Sequence, residues 1–262
     1  MTFKIGGVEK RIYSLRAEHP LVIPQFDPEH HTLDDAIKLA RNLESIGVQH
    51  IAIGSSFVYP EHLQALLDIF IKDFDFTIVT YIVNTNSFLV KGKENRTAIY
   101  WATIFNAMNL FYLRDSLIQG APLLKREHME PLPTAYIFDE RGSNGSANWL
   151  TQPNPIPYNK PEISLATALA CEYLGIRFYI MAGGSGAIRP PPVSHIKKIK
   201  EKTNLFLIPT SGIKSESSLK EIFAVGADAV HIGTVLEKEG GFAKFKRFFE
   251  LSKRYPGKDF MG

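Results

Sequence analysis

Cysteine is almost missing from this chain: Cys171 is the single one in 262 residues. That excludes an intrachain disulfide framework and fits a reducing compartment. Cys171 falls in a helical pattern, Ile163 to Leu174, so core packing is the better reading than nucleophilic catalysis. Long apolar runs are also missing, and none reaches the length of a membrane span. Near the N-terminus, charges at Lys4, Glu9, Lys10, Arg11, Arg16 and Glu18 leave no apolar core for a signal peptide. A soluble cytoplasmic protein is the expectation. Charge of one sign is scarce as well: 30 basic against 27 acidic residues give a formal charge of +3, too small and too scattered for a nucleic-acid stripe. The densest basic run, Lys197 to Lys202, reads as the solvated face of a helix. His30 and His31 have no partner at metal-site spacing and read as polar loop residues.

What is present is apolar bulk in short bursts. Hydrophobic residues make up 45% of the chain, and its length is that of one (β/α)₈ barrel. A single domain over 1–262 follows. Strands are expected at Leu21–Phe26, Gln49–Ile53, Phe76–Tyr81, within Ala98–Asn109, and at Pro131–Asp139, Phe178–Met181, Leu205–Pro209 and Asp228–Ile232. Helical periodicity covers Leu33–Ile46, Glu61–Ile71, Phe111–Lys125, Ile163–Leu174, Val193–Lys202, Ser215–Val225 and Phe242–Ser252. Val83–Arg96 reads as a long loop, either a lid or a plain connector. Ser143–Tyr158, rich in Asn, Ser, Gly and Pro, reads as an irregular excursion able to cover a substrate.

The last three strands end alike. Phe178–Met181 runs into Gly183-Gly184-Ser185-Gly186, Leu205–Pro209 into Thr210-Ser211-Gly212, and Asp228–Ile232 into Gly233-Thr234. Glycine beside a hydroxyl leaves backbone N–H groups uncovered, and in a (β/α)₈ barrel the final βα loops commonly build a phosphate cradle. At the end of the first strand, Asp27-Pro28 is either a metal ligand or the opening of a turn. Ser56, after Gly54-Ser55, lies at the same barrel face and can share a Mg²⁺ with Asp27 when a diphosphate holds the ion.

Taken in order, these pieces resemble the geranylgeranylglyceryl phosphate synthase family of (β/α)₈ prenyltransferases. Asp27-Pro28 is similar to the family's metal turn, Ile53–Ser56 to its Gly-Gly-Ser, and Pro133-Thr134-Ala135-Tyr136 to its Pro-Thr-Gly-Tyr. Asn159–Ile163 with Ala166-Thr167-Ala168, Gly184–Ala187 with Pro192, Thr210–Ser215, Gly226–Asp228 and Ile232–Thr234 with Glu237 complete the match, from about Leu21 to Glu237. The resemblance implies transfer of a polyprenyl group from its diphosphate to a hydroxyl of sn-glycerol 1-phosphate, forming an ether. Asp27 and Ser56 would hold Mg²⁺. The acceptor phosphate would lie on Gly184, Ser185, Gly186, Gly212 and Gly233, with hydroxyls from Ser211 and Thr234. Tyr136 and Glu237 are possible helpers in proton transfer, and Phe57, Tyr81, Tyr100, Trp101 and Phe105 are either lining of the tail groove or, as aromatics in a barrel more often are, core. A homodimer or hexamer and peripheral membrane contact for product release are further implications.

The chain departs from the family pattern around the acceptor. The family's acidic residue before the phosphate loop has no counterpart in Tyr179–Gly183, two of its three following glycines are Thr210 and Ser211, its Asn after Gly233 is Thr234, and a usual Lys is Gln25. A missing acid would admit an acceptor bearing its own carboxylate, such as 3-phosphoglycerate, with Arg189 as counter-charge; the alternative is that Arg189 points to solvent and a hydroxyl replaces the acid. Three other readings stand beside transfer: a terpene cyclase or hydrolase acting on the diphosphate alone, a sugar-phosphate aldolase or isomerase, and a phosphate-binding protein without catalysis.

Overall fold

In the computed structural model, which describes residues 5–57, 59–81, 90–127, 129–142 and 145–261, eight parallel strands close into one barrel. They are β1 (Leu21–Phe26), β2 (His50–Ile53), β3 (Thr77–Tyr81), β4 (Thr97–Ile104), β5 (Glu130–Phe138), β6 (Phe178–Ala182), β7 (Phe206–Thr210) and β8 (Ala229–Ile232). The ring shuts where Leu21 registers with Ala229 and Pro24 with Ile232. Its longest seam joins β4 to β5, from Ala98↔Glu130 to Ile104↔Tyr136.

Every strand is buried on both faces, so each reads as a short apolar run without polar alternation. The period of two still sorts the side chains. Ile23, Ala52, Val79, Tyr100, Ile180 and Ile208 fill the barrel interior, whereas Val22, Ile51, Ile78, Met181, Leu207 and Val230 pack outward under the helices. Those helices are α2 (Leu33–Ser45), α3 (Pro60–Asp73), α4 (Ser116–Arg126), α6 (Pro161–Tyr173), α7 (Val193–Lys200), α8 (Glu216–Ala224) and α9 (Gly241–Ser252). Thr32 and Ser215 cap α2 and α8 through their side chains, the usual device for the orphan amides of a first turn. The sequence-based elements match within a few residues.

Two helices were not anticipated. α1 (Gly7–Glu18) precedes β1 and drives Val8, Ile12 and Tyr13 into the interior cluster, closing the N-terminal end of the barrel. Its inward face carries charge, which hides the apolar period: Glu9 is buried and accepts from Arg177 Nη2 at 2.7 Å and Tyr13 Oη at 2.7 Å. Arg16 donates to Asp228 at 3.2 Å, and Lys200 donates to the same carboxylate. The second, α5 (Ser146–Thr151), lies inside the excursion read as irregular, and Gln152 in the left-handed region ends it. A further departure is that the helix expected from Phe111 opens as a π-helical turn, Phe111–Asp115, before α4. Of the long loop read at Val83–Arg96, residues 83–89 lie outside the described residues, and 90–96 are irregular and turn. Among the described residues no helix separates β3 from β4.

Candidate active site at the C-terminal face

The C-terminal ends of the strands surround a cavity of about 480 Å³, within the range of small-molecule sites. Its lining includes Asp27, Ser56, Tyr136, Gly184, Ser185, Gly186, Ser211, Gly212, Gly233 and Thr234. The metal-side, phosphate-loop and Tyr136 candidates are thus brought to one space, whereas Arg189 and most of the tail-groove candidates are not.

The oxygen-rich side is built at β1, β2 and β8. Asp27 follows β1 directly, and both readings of it hold together. Its Oδ1 accepts from the Glu29 amide at 2.9 Å and its carbonyl from the His30 amide at 3.1 Å, which makes the turn. The carboxylate still faces the cavity. Glu29 and Glu237 also line this side, with Ser55 donating to Glu29 and His30 Nδ1 3.3 Å from Glu237 Oε1. The hydrogen bond to Glu237, then the charge of Asp27, pushes the His30 pKa up from its ordinary value. Among the described residues no group of three or more His, Cys, Asp or Glu is gathered closely enough to hold a metal alone. Carboxylate and hydroxyl oxygens without a closed cage are what Mg²⁺ uses when substrate phosphates and water complete its shell. The donor set therefore fits an ion shared with a diphosphate.

The opposite side is built from the loops after β6, β7 and β8. Gly184 (φ 80°) and Gly186 (φ 79°) adopt left-handed backbone, and so do Ser211 (φ 66°) and Gly212 (φ 72°) in sequence. Ser211 is the exceptional one, because an L side chain there carries steric strain that glycine escapes. Arg141, absent from the sequence-based candidates, holds this arrangement. Its guanidinium is buried beneath the loops and pairs with Asp139. Nη1 donates to the carbonyls of Thr210 (2.7 Å) and Ser211 (2.8 Å), and Nη2 to that of Met181 (3.2 Å). One side chain thereby ties the ends of β5, β6 and β7 together. A Cβ on Gly183 would lie 2.7 Å from Arg141 Nε, which explains that glycine. The sequence signal for Arg141 was only its place two residues beyond a strand-end Asp.

The floor is polar and closed. Tyr81 and Tyr100 are hydrogen-bonded to the two nitrogens of His231, the latter at 3.0 Å. Burial holds the His231 pKa down to about 3. The ring is therefore neutral at neutral pH, donating to one phenol oxygen and accepting from the other hydroxyl. Burial also pushes the Tyr136 phenol up to about 12, so at neutral pH it is a proton donor and not a base. Between the two polar sides runs an apolar wall that includes Ala102, Ile104, Tyr112, Phe138 and Leu150. Of the tail-groove candidates, Tyr81 lines the cavity and Tyr100 lies under it. Trp101 and Phe105 pack in other clusters, and Phe57 is exposed near the mouth.

Arg189 stands apart. It is exposed, does not line the cavity, and its guanidinium carbon sits 5.1 Å above the Tyr158 ring. The cavity's cationic side chains are Lys214, Lys238 and Lys244. The strand period also separates Met181, which packs outward, from Ala182, which joins the apolar cluster of Ile104, Tyr112 and Phe138.

Residues 13–251 match the model of the PcrB family. The chain belongs to that family. Among its curated relatives, the geranylgeranylglyceryl phosphate synthase of Thermococcus sibiricus is 33% identical over 248 residues, covering 94% of this chain and 95% of the relative. That of Thermofilum pendens is 31% identical over 234 residues, 89% of each chain. The fold is shared with a solved structure of (S)-3-O-geranylgeranylglyceryl phosphate synthase from Thermoplasma acidophilum in complex with sn-glycerol-1-phosphate, at a TM-score of 0.86 and 19% identity over 96% of this chain and all of that one. A synthase from Thermoplasma volcanium superposes with a TM-score of 0.84 at 20% identity, over 95% of this chain and 98% of that one.

Proposed function

We propose that this PcrB-family chain is a prenyltransferase that moves a polyprenyl group from its diphosphate to a hydroxyl of sn-glycerol 1-phosphate. The observation that carries the reading is one cavity with two anion-accepting sides and an apolar wall between them, in a chain so similar to curated synthases. Asp27 and Ser56 hold Mg²⁺ together with the donor's diphosphate. When bound, the ion neutralises charge building on the leaving pyrophosphate. The protein's own part is mainly to orient and to exclude water. Glycine-loop amides and the Ser211 and Thr234 hydroxyls seat the acceptor phosphate, and fixed donors facing developing charge are worth far more in a dry site than in water. Lys214, Lys238 and Lys244 add positive potential at the mouth. Tyr136 supplies a hydrogen bond as a neutral phenol. The acceptor hydroxyl is aimed at C1 of the donor and loses its proton late, so no strong base is needed. Assembly as a homodimer or hexamer is part of the same reading. Among the described residues no helix is long and apolar enough to cross a membrane.

A second acceptor has one specific observation in its favour. The cavity lining contributed after β6 and β7, Gly184 to Ala187 and Thr210 to Lys214, carries no Asp or Glu, so nothing there repels a carboxylate. The lysines, and not Arg189, would be its counter-charge. One experiment separates the readings: the mass of the product from geranylgeranyl diphosphate, Mg²⁺ and equal amounts of glycerol 1-phosphate and 3-phosphoglycerate. A prenylglyceryl phosphate is expected. A prenylated phosphoglycerate would move the acceptor to the second reading, and a prenyl alcohol or hydrocarbon alone would remove ether synthesis. In the same assay Asp27→Ala, or excess chelator, lowers turnover by about a hundredfold or more; retained turnover would remove the metal assignment.

A further inference from the structure

The polar floor of the cavity has one hydrogen more than its own acceptors can take. Tyr100 is 1% exposed and lies in the interior cluster with Ala98, Leu132, Phe178 and Ile180. Among the described residues its phenol has one hydrogen-bond partner, Nε2 of His231 at 3.0 Å. A buried hydroxyl hydrogen without an acceptor is costly, so Tyr100 donates to Nε2. That nitrogen then carries no proton, and such a network is what assigns a ring tautomer. Nδ1 holds the ring hydrogen and donates it to the oxygen of Tyr81. The hydroxyl hydrogen of Tyr81 is therefore turned away from His231. Tyr81 lines the cavity and Tyr100 does not, so this remaining donor opens onto the substrate space. The reverse tautomer would strand the Tyr100 hydrogen in apolar core.

Packing fixes where the donor points. The Tyr81 ring lies against those of Tyr100, His231 and Tyr136, with centroids 5.1, 5.5 and 6.4 Å away. A Cβ on Gly54 would come within 2.9 Å of Tyr81 Cβ, so the glycine ending β2 leaves room for the phenol. The surroundings also select the kind of oxygen that fits. His231 and Tyr136 are uncharged at neutral pH, and Gln25, beside Gly233, adds a neutral amide to the same lining. Neutral donors match a hydroxyl, whereas a phosphate or diphosphate calls for charge or a metal ion. Position agrees with this. His231 precedes Gly233 of the phosphate loop by two residues, about 7 Å along a strand, so the floor lies one short carbon chain below a phosphate seated on that loop.

We propose that Tyr81 is a fixed hydrogen-bond donor to a hydroxyl oxygen of the three-carbon acceptor, with His231 and Tyr100 as the positioning residues that aim it. The ligand named here rests on the prenyltransferase reading; the direction of the Tyr81 hydroxyl does not.

Two measurements on the full chain test it. Nitrogen-15 spectra of the His231 ring, identified by its loss in His231→Gln, report which ring nitrogen is protonated. Protonated Nδ1 with bare Nε2 is expected, and a protonated Nε2 would overturn the proposal. The second measurement is calorimetric binding, with prenyl diphosphate absent, of sn-glycerol 1-phosphate and of n-propyl phosphate, which has the phosphate and carbon chain but neither hydroxyl. Tyr81→Phe keeps the ring and should weaken binding of glycerol 1-phosphate by about fivefold, the worth of one hydrogen bond, while propyl phosphate binds as before. Equal weakening of both ligands would make Tyr81 structural only, and weakening of neither would remove its contact with the acceptor; either result overturns the proposal. A wild-type chain that binds neither ligand would sink the acceptor reading and the ligand named here with it, while the ring spectrum would still decide the direction of the Tyr81 hydroxyl.

Discussion

Arg141 is the side chain on which the acceptor side of the cavity depends, though no substrate atom need touch it. Its bonds to Asp139, Met181 and Thr210 are buried and that to Ser211 is partly buried, so removing it strands a carboxylate and three carbonyls. Breaking a buried pair from one side costs about 3–5 kcal/mol, whereas replacing both partners by apolar groups is often nearly neutral. Arg141→Met should therefore lower stability to urea by about that amount. Arg141→Met with Asp139→Leu should recover most of it while KM for the acceptor stays raised, because the Ser211 carbonyl has lost its anchor. Recovery of both would make Arg141 structural only. A second prediction belongs to His231 and His50, which burial keeps neutral with pKa values near 3 and 4. Their folded values lie below the unfolded value, so the unfolded chain binds protons first as pH falls. Each histidine then removes about 1.4 kcal/mol of stability per pH unit below about 6.5, until its folded pKa is reached. Urea midpoints at pH 7, 6 and 5 measure the slope, and His231→Gln should reduce it by about half.

At the scale of elements, the turn after β7 shows how backbone conformation makes a site. Gly212 has φ 72°, and a Cβ there would lie 2.1 Å from the Arg189 carbonyl oxygen. Gly212→Ala must shift the loop after β6 as well as its own. It should cost more than the roughly 1–2 kcal/mol of a left-handed L residue and raise acceptor KM about tenfold. Gly47→Ala is the control, since that position has φ 91° and nothing within 4 Å; its strain should appear in stability and leave KM alone. Loops of this kind are legible in a sequence because glycine beside serine has few other uses at a strand end. The strands were legible too, since burial on both faces forces uniform apolar runs. α1 was not, because its inward face buries Glu9 and Arg16 in pairs with Arg177 and Asp228, partners more than 150 positions distant that no local period reveals. α5 was missed for another reason. Its six residues, set between Gly145 and Gln152-Pro153, are too few to show helical spacing, and packing against the cavity decides their conformation. Arg189 misled because nearness in sequence to a phosphate loop says nothing of direction, and an aromatic ring outside the cavity claimed it.

For the molecule as a whole, the two ends of the barrel are built for different tasks. Charged pairs and the inserted α1 seal one end, while glycines, hydroxyls, carboxylates and lysines surround the cavity at the other. Stability and chemistry are thus separated along the barrel axis. That separation lets the loops around the cavity change without disturbing the fold. It also fixes the traffic. With Val8, Ile12 and Tyr13 stoppering the tube from below, the interior is a cul-de-sac. On the proposed reading, donor and acceptor then enter, and pyrophosphate and lipid product leave, at the C-terminal face of the barrel, and a hydrocarbon tail longer than the well is deep trails out across that threshold.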